Sequence, residues 1–340
     1  MKRIMFFPFL LVCMLSVSCA EDTYYEDVSA QELQSARSCK EIVDSINVAT
    51  KFDAPEISLF ANNSTSHQSA AAFGRYLFFM TKARSNIYMY DLEERNILCS
   101  QKLESAIGTT YYGTDLYHCN QSSFGVDYFD DEDTFPLLYV SQRAGTDMRC
   151  ITEVFRVAPI LSLDSVYKGI NVELVQVIHF PPMTLDNSMG NVNCVIDQER
   201  ELLYTYSRNN QKEDTNYGIC KISCFHIPDI RQTDVYLEDS DLIESFMIDC
   251  SALNLQGGCI KDGILYVGQG YSSVGYIYLN VISLTERRLI TRVDLFGKGI
   301  RWEPEGAFWY NGSLYISSND RNIWEISFDS EATAIRDPKI

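Results

Sequence analysis

Basic residues are scarce in this chain of 340 residues. It contains 28 Lys and Arg against 46 Asp and Glu, which gives a formal net charge of −18. Such a surface repels phosphate backbones, so we expect no nucleic-acid partner. Histidine is rarer still, with four in the chain, and no CxxC pair occurs. We therefore expect no structural zinc, no other metal and no cofactor.

Familiar catalytic motifs and membrane-length apolar runs are also missing. The chain has no GxSxG, no HExxH and no glycine loop that would cradle a phosphate. Its apolar run at residues 4–17 is too short to cross a bilayer, and Lys2 and Arg3 precede it. This pattern predicts a signal peptide over residues 1–18.

The end of that segment reads Ser16-Val17-Ser18-Cys19 and resembles the lipobox of bacterial lipoproteins, in which the cysteine is lipidated. An ordinary cleavable signal is the alternative. The acidic residues that follow look like the export signal of surface lipoproteins in Bacteroides-type bacteria. The resemblance implies a lipid anchor at Cys19 and a tether over residues 19–40. It places the protein at the outer membrane or surface of a Gram-negative cell, with a periplasmic or secreted protein as the alternative.

Nine cysteines remain once Cys13 in the signal and Cys19 are set aside. An odd number cannot all pair. We interpret most of them as small hydrophobic residues that fill a sheet core.

A short strand that begins with leucine recurs five times after the tether. Its leucines are separated by 61, 65, 62 and 49 residues, and turn residues such as Asp262-Gly263 and Asn311-Gly312 stand before the later copies. The copies are Leu77-Phe78-Phe79, Leu138-Tyr139-Val140, Leu203-Tyr204-Thr205, Leu265-Tyr266-Val267 and Leu314-Tyr315-Ile316.

Each copy lies within a group of three or four strand-like segments, and no long stretch of helical periodicity interrupts them. Repeated four-stranded antiparallel units are typical of a β-propeller. We therefore predict an all-β fold in which residues 41–340 form a single five-bladed propeller. Six blades are the alternative, with the extra blade in residues 158–190. Residues 42–51 are expected to supply the outer strand of the last blade and close the ring.

In a propeller the first strand of each blade lines the central channel. The polar residues at the start of these strands change from blade to blade, whereas the apolar residues behind them keep their type. This variation predicts a binding site for a small polar ligand, a saccharide or a peptide; the alternative is that these groups only solvate the channel. The candidate ligand-binding residues are His67, Gln68, His118, Asn120, Gln121, Arg143, Asn193, Arg208, Gln256, Arg301 and Trp302.

Two carboxylates stand out in Arg301-Trp302-Glu303-Pro304-Glu305-Gly306. Residues two apart on an extended chain point the same way, so Glu303 and Glu305 are expected to lie side by side. Such a pair can divide acid and base roles, with a channel histidine as a proton-transfer partner. The alternative is that both are hydrogen-bond acceptors only.

Residues 120–125 (NQSSFG), 135–141 (FPLLYVS) and 303–316 (EPEGAFWYNGSLYI) resemble uncharacterised β-propeller surface lipoproteins of Bacteroides-type bacteria. More distantly, the arrangement of glutamate, aromatic, Asn-Gly and Leu-Tyr is similar to glutaminyl cyclases of the five-bladed propeller type. In that family a channel-facing glutamate assists cyclisation of N-terminal glutamine, and Glu305 would be the matching residue.

Three functions follow from these patterns as hypotheses. The first is a surface-tethered protein that captures a small polar ligand at the channel mouth and touches the membrane only through its anchor. The second is an enzyme, either glutaminyl cyclase-like or a carbohydrate-active hydrolase or lyase, that uses Glu303 or Glu305. The third is a scaffold for another envelope protein.

Overall fold

The computed structural model describes residues 46–53, 67–81, 86–102, 119–142, 151–162, 164, 167–181, 192–208, 218–250, 254–271, 276–320 and 322–328. The predicted signal peptide, Cys19, the tether, His118 and Arg143 lie outside these residues. In the described part of the chain, no helix has the length and hydropathy needed to cross a membrane.

The strands form five separate sheets, each built on four antiparallel strands in hydrogen-bonded order, and one of these sheets carries a fifth, parallel strand at its outer edge. The inner strand of each sheet lies beside the inner strands of the two neighbouring sheets, which produces a closed ring. The fold is therefore a five-bladed β-propeller, as the repeat predicts. The first two blades comprise β2 to β9, and β1 (Ile46–Asp53) precedes them in the chain. Blade 1 contains β2 (His67–Phe73), β3 (Tyr76–Thr81), β4 (Asn86–Asp91) and β5 (Asn96–Lys102), and blade 2 contains β6 (Cys119–Phe124), β7 (Leu138–Gln142), β8 (Ile151–Leu161) and β9 (Tyr167–His179).

The remaining three blades follow in chain order. Blade 3 contains β10 (Asn193–Asp197), β11 (Leu202–Arg208), β12 (Ile219–His226) and β14 (Leu242–Asp249). Blade 4 contains β15 (Leu255–Lys261), β16 (Ile264–Tyr271), β17 (Tyr276–Ser283) and β18 (Arg288–Asp294). Blade 5 contains β19 (Pro304–Tyr310), β20 (Ser313–Ser318) and β21 (Asn322–Phe328) together with β1.

The ring is closed where the first described strand of the chain pairs with the last one in the same blade. β1 pairs antiparallel with β21, from Ile46 opposite Phe328 to Asp53 opposite Asn322. The predicted closing strand at residues 42–51 is therefore present, shifted a few residues toward the C-terminus. The sixth-blade alternative is wrong, because β8 and β9 are the long third and fourth strands of blade 2 and occupy most of the proposed segment.

One strand departs from the regular repeat. The connection between β12 and β14 carries β13 (Asp234–Tyr236), which pairs in parallel with β9 of blade 2, and then a short 3-10 helix (Asp239–Asp241). The side-chain amide of Gln176 donates to two backbone oxygens of this connection, at 2.9 and 2.8 Å. Blade 3 is thereby attached to the outer edge of blade 2, which the sequence pattern does not indicate.

The recurring leucines form the packing layer between blades. Each is fully buried, because the second strand of a blade has neighbours on both faces. The hairpins before the last two copies use Asp262-Gly263 and Asn311-Gly312, all four with positive φ, as expected for two-residue turns. Five of the seven described cysteines are buried in the core, as expected. The recurring leucines are Leu77, Leu138, Leu203, Leu265 and Leu314.

Candidate functional site

Eight of the described candidate residues lie where the inner strands begin, at one end of the central channel. We call this end the polar mouth and define it by His67, Gln68, Asn120, Gln121, Asn193, Gln256, Glu303 and Glu305. All eight are more than nine-tenths buried. Buried polar groups cost free energy unless they are hydrogen-bonded, so the partners of each one indicate its role.

A break in strand register recurs at this level in four of the five blades. The pairing of the inner strand with its neighbour shifts at Gln68 in blade 1, at Asn120 in blade 2, between Leu255 and Gly258 in blade 4, and at Glu305 in blade 5. A β-bulge re-aims the side chain of the extra residue and interrupts its ladder bonds. The bulges therefore present unlike polar side chains at the same level of the channel.

Glu303, Glu305, Gln68 and Asn319 form one hydrogen-bonded cluster. The Asn319 side-chain nitrogen Nδ2 donates to Glu303 Oε2 at 2.8 Å and to Glu305 Oε1 at 3.1 Å. Gln68 Nε2, from the neighbouring blade, donates to the same Glu305 oxygen at 3.1 Å. The backbone nitrogen of Asn319 also donates to Glu303 O at 2.9 Å. The two carboxylates therefore lie side by side, as the sequence predicts, and share one amide donor.

Two oxygens of this cluster are buried without a hydrogen-bond partner among the described residues. They are Glu303 Oε1 and Gln68 Oε1. A buried acceptor that lacks a donor costs about 1 to 3 kcal/mol, and more when it is charged. Among the residues that the structure describes, the cluster therefore has more acceptors than donors to satisfy them.

Gly257 allows the blade 4 inner strand to reach this cluster. A Cβ built at Gly257 would lie 2.3 Å from the backbone oxygen of Glu305 and 2.8 Å from Gly306 Cα. Only a residue without a side chain fits this approach, because both obstacles are backbone atoms. The bulge that carries Glu305 is thus held by direct packing against blade 4.

Asn120 and Asn193 join blades 2 and 3 on the same level. Asn120 Nδ2 donates to Asn193 Oδ1 at 2.6 Å. The structure therefore brings these two candidates into contact with one another.

Gln121 crosses the channel from blade 2 to blade 4. Its Nε2 donates to Gly258 O at 2.8 Å, and its Oε1 accepts from Gly258 N at 2.7 Å. The side-chain amide thus pairs with both polar groups of one peptide residue, as a neighbouring strand would. We call this pair of bonds the Gln121 bridge. Its amide is occupied by the protein itself, so Gln121 acts as a structural crosslink at the polar mouth.

Tyr206 completes the bridge and is absent from the sequence-based candidates. Its hydroxyl donates to Gln256 O at 2.7 Å and lies 3.3 Å from Gln121 Oε1. Burial raises the pKa of Tyr206 well above its usual value, so the group is a neutral donor. Tyr206 pairs with Asn193 in the first hairpin of blade 3. This pairing places it beside the channel, and a prediction of the hairpin register from the sequence would have identified it.

Three further candidates contact other groups of the protein. His67 is fully buried with its ring centre 4.6 Å from that of Phe79. Gln256 Nε2 donates weakly to Gly270 O, at 3.4 Å, within its own sheet. Arg208 Nη2 donates to Asn254 Oδ1 at 2.8 Å.

Arg301 and Trp302 lie on the exposed segment that leads into β19. The Arg301 guanidinium sits 3.9 Å from the centre of the Phe296 ring, and Trp302 is 47% exposed. Across the described residues, no three His, Cys, Asp or Glu side chains come together as metal ligands.

Solved structures similar to this chain are β-propeller proteins of several kinds. Glutaminyl cyclase from Myxococcus xanthus is 9% identical, with a TM-score of 0.46 over 84% of this chain and 96% of that one. The aldose sugar dehydrogenase from Streptomyces coelicolor is 11% identical, with a TM-score of 0.42 over 83% and 98%. The WD40 propeller domain of Doa1 is 10% identical, with a TM-score of 0.41 over 84% and 98%. At these values the likeness concerns the fold alone. No protein-family model and no curated protein sequence matches the chain.

Proposed function

We propose that this protein is a cell-surface lipoprotein whose polar mouth binds a small polar ligand, a saccharide or a peptide, that carries a primary ammonium group. The amino end of a peptide and an amino sugar both meet this description. The observation that carries the proposal is the pair of buried oxygens without donors, Glu303 Oε1 and Gln68 Oε1, beside the carboxylate of Glu305.

An ammonium group supplies what this cluster lacks. It has three donors and a positive charge, and no acceptor. Bonds between an ammonium donor and a carboxylate are about twice as strong as neutral ones. The carboxylates of Glu303 and Glu305 lie close enough to accept from the same atom, Asn319 Nδ2. Two negative charges at this separation repel each other, and a cation bound between them would reduce that repulsion. The net charge of −18 also attracts cationic ligands over anionic ones.

The test is a thermal-shift screen of the mature chain without its anchor cysteine, residues 20–340, with matched pairs of compounds. Each pair has one member with a free amine and one without: glucosamine with glucose, and a dipeptide with its N-acetylated form. We expect an amine member to stabilise the protein, by about 2.7 kcal/mol at a concentration one hundred times its Kd. Its partner should give no stabilisation that depends on Glu305. Glu305→Ala should abolish the stabilisation, because it removes one of the two carboxylates.

Glu132→Ala is the matched control, since Glu132 is an exposed glutamate of blade 2 away from the mouth. It should respond to the amine as the unaltered protein does. A response that survives in Glu305→Ala, or an equal response to both members of each pair, would rule out the proposed site.

A catalytic role for the same cluster is the second candidate. The two carboxylates share a donor, which is a geometry suited to dividing acid and base roles. Incubation with a peptide that begins with glutamine, followed by assay for released ammonia, separates the two functions. Turnover that is lost in Glu305→Ala would make the polar mouth an active site, and stabilisation without turnover supports a binding protein.

The lipid anchor is tested separately. We expect cells that express the full chain to incorporate labelled palmitate into the protein, and Cys19→Ser to abolish the label. Cys13→Ser is the control, because Cys13 lies within the apolar part of the signal, and it should be labelled normally. Equal labelling of the two variants would contradict an anchor at Cys19.

A further inference from the structure

A second cavity lies at the opposite end of the channel from the polar mouth. It has a volume of about 110 Å³ and all five blades contribute to its wall. We call it the lower chamber. One water molecule needs roughly 10 to 15 Å³ of such space, so the chamber has room for a molecule of several heavy atoms. Lining residues from the five blades include Ala72, Ser122, Ile196, Gly258, Phe308 and Trp309.

Small residues on the inner strands create this space. Blade 1 contributes Ala71 and Ala72, blade 2 contributes Ser122 and Ser123, and blade 4 contributes Gly258. Larger side chains at these positions would fill the channel, as side chains fill the interior of small barrels.

The Gln121 bridge separates the chamber from the polar mouth. Gln121 Nε2 donates to the backbone oxygens of Gly258 and Ser122, at 2.8 and 2.9 Å, and both residues line the chamber. The bridge therefore lies at its inner end. The outer end reaches the surface beside Lys261, whose side chain is 43% exposed.

The wall combines an unsatisfied hydroxyl with aromatic surface. Ser122 Oγ is buried and has no hydrogen-bond partner among the described residues, although Ser122 lies in the wall of the chamber. A buried hydroxyl in this state favours a ligand that brings its own donor or acceptor. Trp309, which is partly buried, adds to the wall an aromatic side chain of the kind that stacks on sugar rings.

The charge of the wall excludes ionic ligands. Of the described side chains that line the chamber, Lys261 alone is charged, and its ammonium pairs with Glu199 and with Asp262. A charged ligand would thus lose its hydration without gaining an ion pair. Burial also raises the pKa of the Cys259 thiol in the wall, so this group is neutral at physiological pH.

We infer that the lower chamber is a second binding site, for an uncharged, hydroxyl-bearing molecule of up to about the size of a monosaccharide. The site is independent of the polar mouth, because the Gln121 bridge lies between them. The two ends of the channel thus differ in the charge of the ligand that they bind: a cation at the polar mouth and an uncharged molecule in the lower chamber.

The test is a titration of tryptophan fluorescence in the mature chain with glucose, xylose and erythritol, and with gluconate as the charged counterpart of glucose. We expect at least one neutral probe to change the emission of Trp309 and saturate, and gluconate to have no effect. Ser122→Ala should weaken the affinity about threefold to tenfold, since one hydrogen bond is lost. Ala72→Leu, which fills the space, should abolish binding.

Glu305→Ala is the control that separates the two ends, and it should bind the neutral probe with unchanged affinity. Loss of the neutral response in Glu305→Ala would assign the probe to the polar mouth and overturn the inference. So would the absence of any neutral response up to the solubility of the probes, or equal affinities in the unaltered protein and Ala72→Leu. Circular dichroism of Ser122→Ala and Ala72→Leu verifies that each variant folds.

Discussion

Replacement of Gln121 by leucine is expected to lower the free energy of unfolding by about 2 to 6 kcal/mol. Leucine has a similar volume but cannot bond to Gly258, so the buried N–H and C=O of that residue would both lose their partner. Each buried group left unsatisfied costs about 1 to 3 kcal/mol. Tyr206 keeps its bond to Gln256 O, so it adds little to the loss.

Urea denaturation of the unaltered protein and of Gln121→Leu measures the difference in their free energies of unfolding, through the midpoint and slope of each transition. Gln232→Leu is the matched control, because that glutamine side chain is exposed. We expect the control to change stability by less than about 0.5 kcal/mol. A loss in Gln121→Leu no larger than in the control would show that the Gln121 bridge contributes nothing to the closed ring.

The bridge also illustrates what sequence can and cannot predict in this protein. The blades were predictable, because each rests on a local pattern: a leucine strand, a hairpin turn with the required positive φ, and a polar start to the inner strand. The closing strand was predictable because a propeller with three strands in its last blade needs a fourth. Local patterns thus fix the architecture.

Three glutamines near the start of inner strands show where this reasoning ends. Gln68 donates to Glu305 in the neighbouring blade, Gln121 crosses the channel to Gly258, and Gln256 bonds within its own sheet. All three are buried and lie within the first three residues of an inner strand. Their different roles depend on bulges and on contacts between blades far apart in sequence, which no local pattern encodes.

Asn319 gives the same lesson for the site itself. It follows β20 and resembles any polar loop residue, yet its amide is the shared donor of both carboxylates. Only the pairing of β19 with β20 brings it opposite Glu303. The candidate site could be located from sequence, but its imbalance of donors and acceptors required the three-dimensional arrangement.

That imbalance predicts an opposite effect of one substitution on stability and on binding. Glu303→Gln removes a buried negative charge whose Oε1 has no donor among the described residues, and it replaces one acceptor oxygen of the cluster by an amide nitrogen, which donates. We therefore expect the free energy of unfolding to rise by about 1 to 3 kcal/mol. The same change removes one of the charges that would hold an ammonium group, so stabilisation by the amine compounds should be lost.

Thermal and urea denaturation, each with and without the amine compound, measure both effects in one series. Glu132→Gln makes the same chemical change at an exposed glutamate and should alter neither stability nor the response. A gain in stability together with a loss of binding is expected of a binding site that destabilises the protein when its ligand is absent. If Glu303→Gln were destabilised, or still responded to the amine, Glu303 would be a structural acceptor, and the ammonium proposal would fail.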